Sequence, residues 1–282
     1  MLLPTSRKPE FRGRPFRTTR LFRILGFILA CSVLSARAQE FRKEDENLVI
    51  RSYKGDLRKA NPEGGFIIDL ISGNADLKAN GSIRIGRVDG NLVAATSAGN
   101  IEIRDVAGNV TAITQAGNIS VEKALRHIYA QAELGEILIR SANSAEVQNI
   151  FGGDVKIFNV LGRSKVVTKG NILLVVPEAN TSEEICNLSS TDGDITIYLP
   201  EATDADLEIR TPLSEDAARE SRIESDFSFS QFRQKCDTGK ILTLSTKINK
   251  GGRKIILFIE KGNVYLRLLK PESQRSPGFM PG

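Results

Sequence analysis

The residues able to do chemistry in this chain are few and poorly placed for it. His127 is the single histidine among 282 residues, beside three cysteines, two methionines and no tryptophan. A lone imidazole with no Cys or His partner supports neither a zinc-type site nor a Ser-His-Asp relay, because each needs a second group to orient the ring. Gly152-Gly153-Asp154 begins like a calcium-binding nonapeptide but lacks the remainder of GGxGxD. No phosphate-cradling glycine loop and no dinucleotide fingerprint occurs, so no cofactor or metal is implied. What remains are carboxylates and guanidinium groups. A polysaccharide lyase or hydrolase needs acids gathered on one exposed face with Lys or Arg beside them. Here Glu102, Asp105, Glu122 and Glu133 alternate with Arg84, Arg87, Arg104, Lys123 and Arg140. That mixture of signs is the pattern of a solvated surface, and it favours a protein that is not an enzyme.

The charge balance narrows the partners. The formal charge is +5, from 39 Lys+Arg and 34 Asp+Glu. Residues 1–38 hold Arg7, Lys8, Arg12, Arg14, Arg17, Arg20, Arg23 and Arg37 against Glu10 alone, so the rest of the chain is slightly acidic. Nucleic-acid binding loses its support with that segment removed. The same segment has the layout of a secretory signal: a basic start, the apolar run Ile24 to Leu34, then Ala36-Arg37-Ala38 before Gln39. Cleavage between Ala38 and Gln39 is expected. Eleven apolar residues rise about 16 Å as a helix, half of a bilayer core of about 30 Å, so no transmembrane helix is expected in the mature chain. Cys31 lies in a loose match to a lipid-attachment box, in which Leu29 is bulkier than usual.

Export leaves Cys186 and Cys236 in an oxidising compartment. A disulfide closing a loop of about 50 residues and two buried thiols are both compatible with the sequence.

Glycine recurs every nine residues at Gly81, Gly90, Gly99, Gly108, Gly117, Gly135, Gly153 and Gly162, with Arg126 and Ser144 in the two vacant places. Asn91, Asn100, Asn109 and Asn118 follow four of them, and Glu136 and Asp154 take the same place later. Such pairs read as turns. Two places after each glycine stand Ile83, Leu92, Ile101, Val110, Ile119, Ile128, Ile137 and Val155. Two places further the column reads Ile85, Ala94, Ile103, Ala112, Val121, Ala130, Ile139, Gln148 and Ile157. The alternation of large and small residues doubles the repeat to eighteen. An all-β parallel β-solenoid follows, with nine-residue passes, two per coil: one sheet stacks the Ile/Val passes and the other the Ala passes. A sandwich, with irregular turn spacing, fits less well. The asparagines should stack in ladders at the two edges, a structural use rather than a binding one.

Outward positions differ between the passes. The Ile/Val passes present Arg104, Glu122 and Arg140; the Ala passes present Val93, Ala95, Thr111, Ile113, Tyr129 and Gln131. An uncharged outer stripe either meets a partner or lies under another part of the chain, and the latter is expected here, supplied by the N-terminal cap or the segment after Pro212. The organisation is therefore a signal at 1–38, an N-terminal cap at 39–62, a solenoid at 63–270 and a loop tail at 271–282. A polar excursion near 212–235, helical or loop-like around Leu213 to Ile223, interrupts the solenoid.

The segments GNIEIRDVAGNVTAITQAGNISV (99–121), STDGDITIYLPEATDADLEIRT (190–211) and INKGGRKIILFIEKGNVYLRL (248–268) resemble a bacterial family of conjectured adhesins. Its members are secreted β-solenoid domains of unknown function. The likeness covers roughly residues 60 to 270, and this chain departs from it at Arg126-His127 and at Ser144 to Gln148, where bulged coils are expected. The resemblance implies an exported, non-catalytic structural or binding module of the cell envelope, in the periplasm, on the outer surface or secreted. Its partner would be a protein or glycan. The alternatives are a carbohydrate-active β-helix enzyme and a periplasmic partner of a membrane signalling protein, which would use the face around Tyr129.

Overall fold

A computed structural model of the protein describes residues 41–212, 221–229, 233–237 and 241–270. The expected signal, its Ala38/Gln39 junction, Cys31, the tail from 271 and residues 213–220 of the polar excursion lie outside the described residues. All described regular structure is β.

β1 (Phe41–Glu44) turns back on β2 (Asn47–Tyr53). From β2 the chain winds through eight coils: β3 (Leu57–Asn61), β4 (Phe66–Ile71), β5 (Ala75–Ala79), β6 (Ile83–Val88), β7 (Leu92–Ala98), β8 (Ile101–Val106), β9 (Val110–Ala116), β10 (Ile119–Ala124), β11 (His127–Leu134), β12 (Ile137–Ile139), β13 (Ser144–Asn149), β14 (Val155–Phe158), β15 (Ser164–Thr168), β16 (Ile172–Val175) and β17 (Glu184–Ser190). β18 (Ile195–Leu199), β19 (Ala205–Pro212), β20 (Ile223–Ser225), β21 (Arg233–Asp237), β22 (Ile241–Ile248), β23 (Arg253–Ile259) and β24 (Val264–Leu268) complete the chain. Through β18, even-numbered strands build one parallel sheet and odd-numbered strands from β3 to β17 build the other.

The pairing reproduces the columns expected from the glycine lattice. Ile83, Ile101, Ile119 and Ile137 stack in the first sheet, each 18 residues after the last. Ala94, Ala112 and Ala130 stack opposite them in the second. All seven side chains are fully buried. Neighbouring coils supply each other's apolar contacts, so the core is one continuous cluster from Ile50 to Leu266 rather than one core per coil.

The corners are tied by two ladders. On one edge the Asn74, Asn91 and Asn109 amides donate to Oδ1 of Asp56, Asn74 and Asn91 on the preceding coil, each at 2.8 Å. On the other, Asn118 N–H reaches Asn100 Oδ1 at 2.9 Å and Glu136 N–H reaches Asn118 Oδ1 at 2.8 Å. These asparagines are exposed, so each side chain replaces the water that a corner N–H would otherwise need. A third, buried ladder was not anticipated. Thr96 Oγ1 donates to Gly81 O at 2.7 Å, Thr114 to Gly99 O at 3.1 Å, Thr168 to Gly153 O at 3.0 Å, and Asn149 Nδ2 to Gly135 O at 2.6 Å.

Three expectations change. The lapse at Ser144 is a coil shortened to 17 residues, pairing Ile128 with Ala145, followed by one of 19 that pairs Ala145 with Ser164. Val147 therefore takes the inward place and Gln148 faces out. The N-terminal cap is narrower than 39–62, because residues 47–61 already form the first coil and only β1 covers an edge, that of the first sheet. The second sheet begins at β3 with an open edge, where Lys59 occupies the inward column opposite Leu77. Finally, the polar excursion contributes β20 to the end of the first sheet and β21 to the end of the second.

The last coil in space is not the last in sequence. After β18 the chain skips one coil and forms β19 and β20 beyond the gap. It then adds β22 antiparallel to β19 and returns, so that β23 enters between β17 and β19 while β24 enters between β18 and β20.

Candidate interaction face

The six residues singled out on the Ala passes come together on the outer face of the second sheet. Val93, Thr111 and Tyr129 form one row across β7, β9 and β11, and Ala95, Ile113 and Gln131 the next. With strands about 4.8 Å apart and same-face residues about 6.8 Å apart, the grid measures roughly 10 Å by 7 Å. Val93 is 39% exposed; the other five are half-buried against one another. The Tyr129 hydroxyl donates to Gln131 Oε1 at 2.8 Å, which fixes both side chains flat on the sheet.

Charge returns on either side. Asp76 and Lys78 stand beside Val93 and Ala95 on β5, with Asp76 held by Arg58 at 3.0 Å. Glu146 stands beside Tyr129 on β13, bonded to Lys165 at 2.9 Å. The Lys165 hydrogen bond holds the Glu146 carboxyl below its ordinary range, with His127 and Arg163 adding to the effect. His127 itself shares a 2.9 Å hydrogen bond between Nδ1 and Ser144 Oγ, a corner contact. The grid is an uncharged window in a charged surface.

The expected internal cover is absent from the places foreseen for it. β1 and β20 extend the first sheet, and β21 and β22 extend the far end of the second, so these described strands lengthen the sheets instead of lying over the grid. Hydrogen bonding explains why: each offers a full edge of backbone groups, which pair better with a sheet edge than with side chains on a sheet face.

Apolar surface also appears where the sequence reading did not look. At the corner after β11 and β13, Leu134, Ile150 and Phe151 are exposed, Phe151 by 59%, with the Lys169 ammonium 5.9 Å from the Phe151 ring centre. The lapsed lattice at Arg126 and Ser144 was the signal for this irregular edge. On the first sheet, the charged outer face extends only over the early coils, where Arg51 pairs with Asp69 at 2.9 Å and Arg84 with Glu102 at 2.8 Å. Further along, Leu138, Phe158, Leu173, Val175, Tyr198 and Tyr265 take the outward places, with Arg267 5.2 Å over the Tyr265 ring. The unbroken apolar run at Ile172 to Val176 already signalled a strand apolar on both faces.

The acids are dispersed. An open groove on the first sheet is lined by Asp69, Arg84, Gly86, Glu102, Arg104 and Glu122, and its Arg84 and Glu102 neutralise each other. Asp56, Glu63 and Glu146 all hold their protons less tightly than free carboxyls, through the Asn74 amide, Lys43 and Lys165 respectively. A catalytic acid working near neutral pH needs the opposite shift. Among the described residues no group of three or more His, Cys, Asp or Glu could hold a metal ion, and no helix is long and apolar enough to cross a membrane.

Cys186 is a free thiol, fully buried in the inward column between Ser164 and Ile255. The Cys186–Cys236 bridge weighed from the sequence is therefore not what this fold holds. Three strands stand between β17 and β21, placing the two backbones roughly 19 Å apart against the 4.4–6.8 Å that a disulfide spans. Burial, with Glu184 nearby, pushes the Cys186 thiol well above its ordinary pKa.

Comparison with known proteins gives one match. A family profile described as Toastrack DUF4097 covers residues 65–266. No curated protein and no solved structure matches the chain.

Proposed function

The chain belongs to the Toastrack DUF4097 family, a β-solenoid-type domain of unknown function, and from that premise we propose that it is an exported, non-catalytic module of the bacterial cell envelope. It binds a protein or glycan partner through the outer face of its second sheet. The uncharged grid around Tyr129 is the observation that carries this reading. It is flat, bounded by ion-paired rows and free of described edge strands, and a tyrosine fixed by Gln131 is a rigid amphipathic contact that loses little entropy on binding. The basic-apolar leader and the adhesin-like segments support export. The dispersed, neutralised acids favour binding over hydrolysis or elimination.

Two measurements test it. Protease digestion of intact cells, compared with cells whose outer barrier has been opened, distinguishes surface from periplasm; resistance in both would refute export. Co-sedimentation of the purified mature chain with isolated cell envelopes tests the face. Tyr129→Asp with Ile113→Asp should abolish sedimentation while changing the melting temperature by no more than about 3 °C, since neither side chain is in the core. Unchanged sedimentation would remove the grid from the binding surface.

A further inference from the structure

We infer that the coil made by β23 and β24 is a docked segment, and that the slot it fills is a strand-accepting site able to take the same segment from a second copy of this chain. The slot exists because the chain skips a full coil between β18 and β19. Its walls are two parallel strand edges on each sheet: β17 and β19 on one, β18 and β20 on the other. Without β23 and β24 those edges would be two strand spacings apart, roughly 10 Å, with unpaired backbone groups and no floor to the core. Everything needed to receive a strand pair has been built before residue 253 is reached.

What fits the slot is sharply defined. Ile255, Leu257, Ile259, Val264 and Leu266 point inward and are fully buried, so the segment must alternate large apolar residues with outward ones. Its corner enters the exposed ladder: Asn263 N–H donates to Asp194 Oδ1 at 2.7 Å, and Asn263 Oδ1 accepts from Arg222 N–H at 3.2 Å. The slot thus reads strand, Gly-Asn corner, strand, and residues 253–268 of any copy satisfy it equally.

The tether can be opened. β22 and β23 lie on opposite sides of β19, so residues 249–252 arch across the start of that strand. The arch is short and turns sharply, with φ of 51° at Asn249, 76° at Gly251 and 127° at Gly252. Asn249 Nδ2 binds the Glu201 and Thr203 carbonyls at 2.9 Å each, and Lys250 N–H binds Asp204 Oδ1 at 3.1 Å. Extending these four residues lets the segment reach a neighbour while every contact inside the slot is kept, the condition under which identical elements exchange between copies. The tethered arrangement prevails in dilute solution because the segment's own effective concentration is high.

The test uses the full chain. Leu257→Asp with Leu266→Asp disables the resident segment and leaves the slot's walls intact. A labelled peptide of residues 249–270 should bind this variant one to one and fail to bind the wild type; a peptide with the same two substitutions should not bind. Independently of the variant's stability, native-state hydrogen exchange of the wild type should release β19, β20, β23 and β24 together and before β5 to β15. Two results would overturn the inference: no peptide binding by a variant whose β5 to β15 remain protected, or a wild type in which β23 is as protected as β9.

Discussion

Replacing Gly117 and Gly55 separately by alanine isolates what a corner of this solenoid demands. Both glycines have positive φ, 147° and 91°, and the conformational cost to alanine is about 1–2 kcal/mol at each. Their surroundings differ. A Cβ at residue 55 would meet nothing within 4 Å, whereas one at residue 117 would lie 2.2 Å from the Gly99 carbonyl oxygen of the coil below. Ordinary contact needs about 1 Å more, and that movement breaks the bonds converging there, Thr114 Oγ1 to Gly99 O and Gly117 N–H to Leu134 O, each 3.1 Å. Two lost hydrogen bonds at about 1 kcal/mol each, with about 1–3 kcal/mol of overpacking, bring Gly117→Ala to about 4–7 kcal/mol. At about 2–4 °C per kcal/mol for a domain of this size, Gly55→Ala should lower the melting temperature by about 2–8 °C and Gly117→Ala by 10 °C or more. Because stacked repeats can open piecewise, thermal melts should be paired with hydrogen exchange, which should lose protection first around β8 to β11 in the Gly117 variant. Equal shifts for the two variants would mean that coil spacing is not set by backbone contact at the glycine corners.

The free thiol and the first ladder give two further predictions. Cys186 should resist a thiol reagent in the folded protein and react at the rate of unfolding, since burial opposes formation of the thiolate; rapid labelling of native protein would show that the β17 edge breathes open. Asp56 accepts hydrogen bonds from the Asn74 backbone and side chain, and the folded state therefore holds its carboxyl below the ordinary value. A depressed folded pKa means that this stabilisation is complete above the unfolded pKa, near 4, and is lost as pH falls through the lower folded value. Acid titration of stability should accordingly be shallower below pH 4 in Asp56→Asn than in the wild type, and identical slopes would remove Asp56 from the acid response.

Much of this architecture was legible in the residues. Columns such as Ile83–Ile101–Ile119 determine register because a one-residue slip would turn them outward, and Val93, Thr111 and Tyr129 follow from the same alternation. The period was lost where coils change length. Phe66 and Ile83 are paired 17 residues apart, which hid the coils before Gly81 and made residues 47–61 look like a cap. Gln148 was placed inward by counting nines through a shortened coil. The threonine ladder had its signal, Thr96 and Thr114 eighteen apart, but a hydroxyl's partner is a carbonyl that side-chain periodicity does not reveal. The skipped coil was beyond pattern reading altogether: residues 253–268 have the alternation of any other coil, and nothing local distinguishes a strand laid on the end of a stack from one laid within it.

The paired 17- and 19-residue coils around β13 have a consequence for how such a molecule can change. A side chain's inside-or-outside assignment flips with every single-residue step, so one deletion in a strand would invert everything downstream, much as a lost base scrambles a reading frame. Here the missing residue falls in the corner before β13 and the extra one in the corner at Gly152-Gly153, and beyond β14 the phase is restored. Corners act as phase correctors. They confine an error in chain length to one strand, and they leave the corner facing solvent, with Phe151 at its tip, free to vary while both sheets keep count.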